Sequence, residues 1–145
     1  MPPQYQRALE ADSITRADFA VLLYWKVSSV RFAQNVGAPP IAIDITELPG
    51  REELIRAIAL GIFNVDPVTR RVGPGAPVNA ASLARLAARV LTVRGASCAR
   101  VPASDASRVL AACNITDPTA TIGSEGPVSG RTASALLDQI DRALK

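Results

Sequence analysis

Apolar residues recur at helical spacing in three long stretches of the chain. Phe19, Leu22, Leu23 and Val27 form the first stripe; Leu83, Leu86 and Val90 form the second; Leu136, Leu137, Ile140 and Leu144 form the third. Steps of three and four put each set on one helix face. The stripes also open alike. ITRADFAVLL, VNAASLARLA and VSGRTASALL align without gaps over residues 14–24, 78–88 and 128–138. A β-branched residue leads each segment (Ile14, Val78, Val128) and suits a hydrophobic staple. Thr15, Asn79 or Ser129 follows, with a side-chain oxygen able to accept from the unpaired N–H groups of a first helical turn. Three positions on stand Asp18, Ser82 and Thr132, of which Asp18 best serves as a capping partner.

Two shorter helical stretches lie between the long ones, REELIRAIALGI from Arg51 and SDASRVLAACNI from Ser104, each preceded by a proline, Pro49 or Pro102. Each ends in a residue suited to the left-handed conformation, Gly61 or Asn114, followed by Ile62 or Ile115. That is the pattern of a C-cap with an apolar residue folding back. Matching Asp66-Pro67 and Asp117-Pro118 dipeptides then stop further helix. The predicted order is therefore long, short, long, short, long, with AQNVGAPPIAIDITELPG as an extended connection. Residues 1–12 read as an N-terminal lead-in and residues 13–145 as a single helical domain with repeat starts near 14, 78 and 128.

Composition supports an all-α class. Apolar residues make up 48 % of the 145, but aromatics only 4 %, and much of the remainder is alanine. Small side chains suit helices in close approach, and a chain of this length buries about two-thirds of its unfolded surface. The net charge of +3 comes from lysines and arginines scattered in ones and twos. A nucleic-acid binder concentrates them on one face, so nucleic acid is not expected as a partner. VNAASLARLAARVL superficially looks like part of a helix-turn-helix. The recognition helix should follow within a 3–4-residue turn, yet TVRGASCARVPAS intervenes.

Histidine is absent, which removes Ser-His-Asp and Cys-His catalysis and histidine metal sites. Glu52 and Glu53 fall in a helix's first turn, where the dipole favours them, and have no support as an acid/base pair. NVDPVTRRVG lacks the spacing and terminal Glu of a calcium loop, and VGPGAP lacks the GK[ST] of a phosphate cradle. The expectation is a protein that is not an enzyme and uses no metal or cofactor. Asp44 reads as a turn or cap former, and Trp25 as a packing residue on the first long helix. Cys98 and Cys113 are either two small buried thiols in a reducing cytosol or a disulfide worth about 3 kcal/mol in an oxidising compartment. No run approaches the roughly 18 apolar residues of a membrane span. MPPQYQRALEADS has neither the basic nor the apolar region of a signal peptide, so the chain is cytosolic or an excised mature segment.

ITRADFAVLL resembles the TRAE-type motif that opens the long helix of S-layer homology domains. IDITELPGREELIRAIALGI is similar to that family's loop aspartate, short helix and Gly-Ile end, and RRVGPGAPVNAASLARLAARVL to its next turn and long helix. The likeness runs from about Ser13 to Leu144 and weakens after Gly95. It implies a pseudo-threefold helical spindle whose grooves bind anionic cell-wall polysaccharide or peptidoglycan-linked polymer. The family arginine falls on Arg16, where a guanidinium and free N–H groups together suit a carboxylate. A structural role for Arg16, solvated or paired to a loop, is the alternative. Thr15, Lys26 and Arg131 are further groove candidates. The counterpart of Arg16 is Ala80 in the second repeat and Gly130 in the third, while Arg131 sits one position off, about 100° around the helix. ELPGREEL also lacks the family's tryptophan. The envelope reading implies an extracytoplasmic segment of a larger exported protein and a Cys98–Cys113 disulfide. The competing reading is a protein-interaction scaffold that keeps the fold without the sugar, with an exposed apolar patch and an envelope protein as partner.

Overall fold

The computed structural model describes residues 2–34, 36–100, 105–119 and 122–145. Among these residues the chain is all-α, with seven helices and no strand. They are α1 (Pro3–Glu10), α2 (Arg16–Lys26), α3 (Ser28–Arg31), α4 (Arg51–Ala59), α5 (Ala80–Val93), α6 (Ala106–Ala112) and α7 (Gly130–Ala143). A 3₁₀ turn, Ser97–Ala99, separates α5 from α6.

The three anticipated caps all form. Thr15 Oγ1 accepts from the Asp18 N–H, and the Asp18 carboxylate accepts in return from the Thr15 N–H, a complete capping box. Asn79 accepts from Ser82 N–H and Ser129 from Thr132 N–H. The leading Ile14, Val78 and Val128 are buried, as are Phe19, Leu83 and Ala133 four positions after each cap. The residues before the long helices also meet one another. Ile14 N–H donates to Val128 O (2.9 Å), Val78 N–H donates to Ile14 O (3.0 Å), and Thr15 bridges Pro77 as Asn79 bridges Pro127. Around this junction the Leu22, Leu23, Leu91, Leu136 and Leu137 side chains close a single core.

Both short helices end as their sequences predict. In α4, Ile62 N–H reaches Ala57 O and Gly61 N–H reaches Ile58 O, with Gly61 at φ +82°. In α6, Ile115 N–H reaches Leu110 O and Asn114 N–H reaches Ala111 O, with Asn114 at φ +57°. These paired bonds satisfy carbonyls that a helix end leaves unpaired. Asp66 and Asp117 then fold the chain by accepting from the N–H groups of Val68 and Thr69 and of Thr119. The proposed starting points Pro102 and Ser104 lie outside the described residues; the N-cap of α6 is Asp105.

Two elements depart from the periodic reading. Within the N-terminal lead-in, residues 3–10 form α1 and bury Tyr5 and Ala8 against α2 and α7. The first long helix breaks at Val27, which is extended at φ −107° and ψ 104°. Its continuation, α3, is held from outside: the Asp141 carboxylate of α7 accepts from Ser28 N–H (3.1 Å) and Ser28 Oγ (3.2 Å).

The long connection pairs little with itself but is pinned at Asp44, whose carboxylate accepts from Val72 N–H (3.1 Å) and Gly73 N–H (2.9 Å). Burial pushes the Asp44 pKa upward. The N–H groups of Gly73, Val72 and Asp44 itself, with the nearby Arg71 charge, outweigh that and hold it below the usual carboxylate range. Asp44 is thus a turn former, as its sequence context suggests. Gly50, at φ +93° before α4, leaves no room for a side chain: a Cβ there would stand 2.6 Å from Val21 Cγ2.

Candidate functional site

Arg16 is the first residue of α2, and the backbone around it is fully used. Arg16 N–H donates to Ala76 O (2.9 Å), Ala17 N–H to Pro74 O (3.0 Å) and Asp18 N–H to Thr15 Oγ1 (3.2 Å). The free N–H groups expected to help hold a carboxylate are therefore taken by the 74–76 turn. Any anion recognition at this point falls to side chains.

The Arg16 side chain lies across an aromatic ring. Its Cζ is 4.6 Å from the centroid of Phe63, which stacks edge-to-face on Phe19 at 6.1 Å. Phe63 is placed there by the Gly61-Ile62 cap of α4, and a guanidinium over a ring face is an attractive pairing. Nε of Arg16 is buried without a partner. Desolvation lowers the Arg16 pKa, with the Asp44 charge working against the shift. The group stays protonated throughout the physiological range. It is a partly desolvated cation with donors left over.

Arg16 opens into a cavity of about 250 Å³, lined also by Phe63, Asn64, Ser82, Arg85 and Arg89. Arg85 and Arg89 stand one turn apart on the exposed face of α5. Arg89 Nε donates to Gly61 O at 2.7 Å, which ties its guanidinium to the end of α4. Among the described residues no carboxylate lies within ion-pair distance of Arg16, Arg85 or Arg89, and no acidic residue lines the cavity. Three fork-shaped donors around one space suit a carboxylate or another planar or tetrahedral anion. Arg85 and Arg89 were missed at the level of sequence. Their i, i+4 spacing within VNAASLARLAARVL marks a basic edge on the polar face, but convergence with Arg16 depends on packing.

The equivalent positions at the other two starts are built differently. With the ungapped alignment carried one position further, Arg85 and Arg89 correspond to Ala135 and Gln139 in the third segment and to Val21 and Trp25 in the first. Gln139, the counterpart of Arg89, clamps the chain after α6: its Oε1 accepts from Thr116 N–H and its Nε2 donates to Thr116 O, both at 2.9 Å, and it borders a cavity of about 240 Å³ with Asn114, Ile115 and Arg142. At the third start the end of α1 occupies the space. Gly130 N–H donates to Ala11 O (2.8 Å), and a Cβ on Gly130 would strike Ala8 O and come within 2.6 Å of Leu9 O. No arginine fits there.

The remaining candidates scatter. Thr15 is spent on the capping box. Lys26 lies at the far end of α2, about 15 Å along the axis from Arg16, where it pairs with Asp138 of α7 at 3.3 Å. Arg131 is exposed on α7 and does not line the Arg16 cavity. Trp25 packs as expected and donates to Glu53 Oε1 (3.3 Å), which also accepts from Gln4 Nε2 (3.1 Å). Cys98 and Cys113 are disulfide-bonded, with Cα atoms 5.0 Å apart. The bond links the 3₁₀ turn after α5 to the C-cap of α6. No helix among the described residues is long and apolar enough to cross a membrane. Comparison with protein-family models and with curated proteins yields no match.

Proposed function

We propose that this chain is a non-catalytic cell-envelope module of the S-layer homology type. In this reading its three helix starts form a divergent pseudo-threefold spindle, and one groove binds an anionic cell-wall glycan or peptidoglycan-linked polymer. The observation that carries the reading is the convergence of Arg16, Arg85 and Arg89 on one cavity with no acidic lining residue. Partial burial beside Phe63 strengthens a charge-assisted contact made by Arg16 relative to open water. The Cys98–Cys113 disulfide is compatible with an extracytoplasmic location, since such bonds persist in oxidising compartments.

Retention on isolated cell-wall sacculi tests the reading. Wild-type protein is retained at low salt and released as salt rises, and Arg16→Ala weakens retention by about ten- to a hundredfold, the scale of one lost hydrogen bond to a charged group. Wild type that passes through unretained at low salt sinks the proposal.

A second reading, a protein-interaction scaffold, is favoured by one specific feature. Ile41 and Val68 are 77 % and 89 % exposed, beside a shallow cavity lined by Pro40, Val65 and Pro67. Such a patch on a small domain suits a protein contact. Co-purification from the source cell, abolished by Ile41→Ser with Val68→Ser and unaffected by Arg16→Ala, supports the scaffold; the reverse pattern rejects it.

A further inference from the structure

Three arginines from separate helices converge on α3 and the residues just after it. Arg94, at the end of α5, donates from Nε to Ser29 Oγ (3.0 Å), and Arg56 of α4 donates from Nη1 to Ala33 O (3.0 Å). Arg31 donates from Nη1 to Trp25 O (2.9 Å), and its Cζ lies 4.6 Å from the Phe32 ring centroid and 5.7 Å from that of Trp25. Each guanidinium spends one donor on this segment and keeps others in reserve. Among the described residues none of the three has a carboxylate within ion-pair distance. The carboxylates that bond to this region are engaged already. Asp141 holds Ser28 and pairs with Lys145 at 3.1 Å, and buried Glu53 accepts from Gln4 and Trp25.

Phe32 is 68 % exposed beside these cations. Its backbone is fixed from behind: Phe32 N–H donates to Ser28 O (2.9 Å), and Arg56 holds the next carbonyl. A single exposed apolar residue is ordinary. An ordered ring beside three guanidiniums with donors to spare suits a surface that is anionic and apolar at once.

We propose that this patch docks the domain on an anionic lipid surface. Phe32 enters the boundary between headgroups and acyl chains, and Arg31, Arg56 and Arg94 pair with lipid phosphates. Guanidinium forks match phosphate oxygens, and aromatic rings act as anchors at that boundary. A protein partner suits the patch less well. A stable protein interface buries roughly 800 Å² per partner around apolar anchors, and here one ring supplies the apolar part. A lipid surface sets no such threshold, since each cation and each apolar group adds to one partition coefficient. None of the four residues lines the Arg16 cavity, so lipid docking is independent of anion binding there.

Flotation of the full chain with vesicles tests the proposal. The probes are vesicles of phosphatidylglycerol and phosphatidylcholine in equal parts, and of phosphatidylcholine alone. At low salt the protein should float with the first and stay behind with the second. Phe32→Ser should lower the partition about tenfold or more, the weight of one buried ring, and Phe32→Trp should restore it. Arg94→Ala should lower it about fivefold, the share of one arginine at a charged surface. Arg131→Ala, which removes an exposed cation from α7, should change it much less. Circular dichroism checks that each variant stays folded. No partition onto anionic vesicles, equal partition onto neutral ones, or anionic partition that Phe32→Ser leaves intact overturns the proposal. So does a loss with Arg131→Ala as large as with Arg94→Ala, the mark of diffuse adsorption of a basic protein. Phe32-dependent binding of polyglutamate with no vesicle partition would assign the patch to an acidic protein instead.

Discussion

The first two helix starts share a scaffold and differ in what fills the space beside it. At Thr15 the capped helix begins with Arg16, and the neighbouring long helix supplies Arg85 and Arg89, so three cations face a cavity. At Asn79 the capped helix begins with Ala80, and the neighbouring long helix supplies Ala135 and Gln139. There the amide of Gln139 takes both hydrogen-bonding groups of the Thr116 backbone, and the cavity it borders, about 240 Å³, has Arg142 as its one cation. Arg89, at the matching position, also bonds a carbonyl at the end of a short helix, Gly61 O, but brings charge to the cavity. One arrangement leaves donors available to a ligand; the other uses them within the fold. Caps and stripes are thus separable from binding chemistry.

Substitutions at the three starts probe that contrast. The largest effect is expected at the third start. Gly130→Arg restores the arginine of the first motif in sequence, yet its Cβ collides with the Ala8 and Leu9 carbonyls. It should lower unfolding stability by about 3 kcal/mol, the upper range for overpacking, without creating a binding site; chemical denaturation and titration check both halves. Cys98→Ser with Cys113→Ser should cost nearly as much, about 3 kcal/mol, and loosen α6 selectively, visible as faster amide exchange from Val109 to Ile115.

Smaller effects separate the two grooves directly. Gln139→Ala should lower stability by about 0.5–1 kcal/mol, since water can pair the exposed Thr116 groups it frees, and leave anion affinity untouched. Arg89→Ala should do the reverse, with a small change in the denaturation midpoint and a clear loss of affinity.

The smallest effect is a pH dependence. Burial works to raise the Asp141 pKa, but hydrogen bonds from Ser28 and Lys145 with the Lys145 charge hold it below the usual range. Asp44 behaves likewise, with Gly73 and Val72 as its donors. A carboxylate whose folded pKa is depressed stabilises the fold above its unfolded value, near 4, and that contribution is lost as pH falls through the folded pKa. Stability should therefore decline below about pH 4, and Asp141→Asn or Asp44→Asn should flatten the decline.

Much of the fold was legible because it is local. Three N-caps, two left-handed helix ends and two Asp-Pro turns each depend on residues within a few positions, and each formed as its sequence required. What escaped depends on distant partners. Helix α1 is only eight residues long, and its helical face is sealed by α2 and α7 rather than by a strong stripe of its own. The break at Val27 becomes possible because Asp141 replaces a lost helical acceptor from more than a hundred residues away. Of the candidate site residues, Arg16 lines a cavity. Lys26 lies at the other end of the same helix, paired with Asp138, and the N–H groups beside Arg16 are covered by a turn that no local pattern reveals. Arg85 and Arg89 look like ordinary solvated helix arginines until packing brings the end of α4 beside them.

If Arg16, Arg85 and Arg89 together make the anion site, the cavity beside Gln139 and the start blocked at Gly130 take up no anion. A heteronuclear NMR titration of the full chain with glucuronate distinguishes the three starts. Saturable shifts at Arg16, Phe63, Ser82 and Arg89, with Ala80, Thr116, Gln139 and Gly130 still, are the predicted result. Saturable shifts of the same size around Ala80 and Gln139, or none near Arg16, would contradict it.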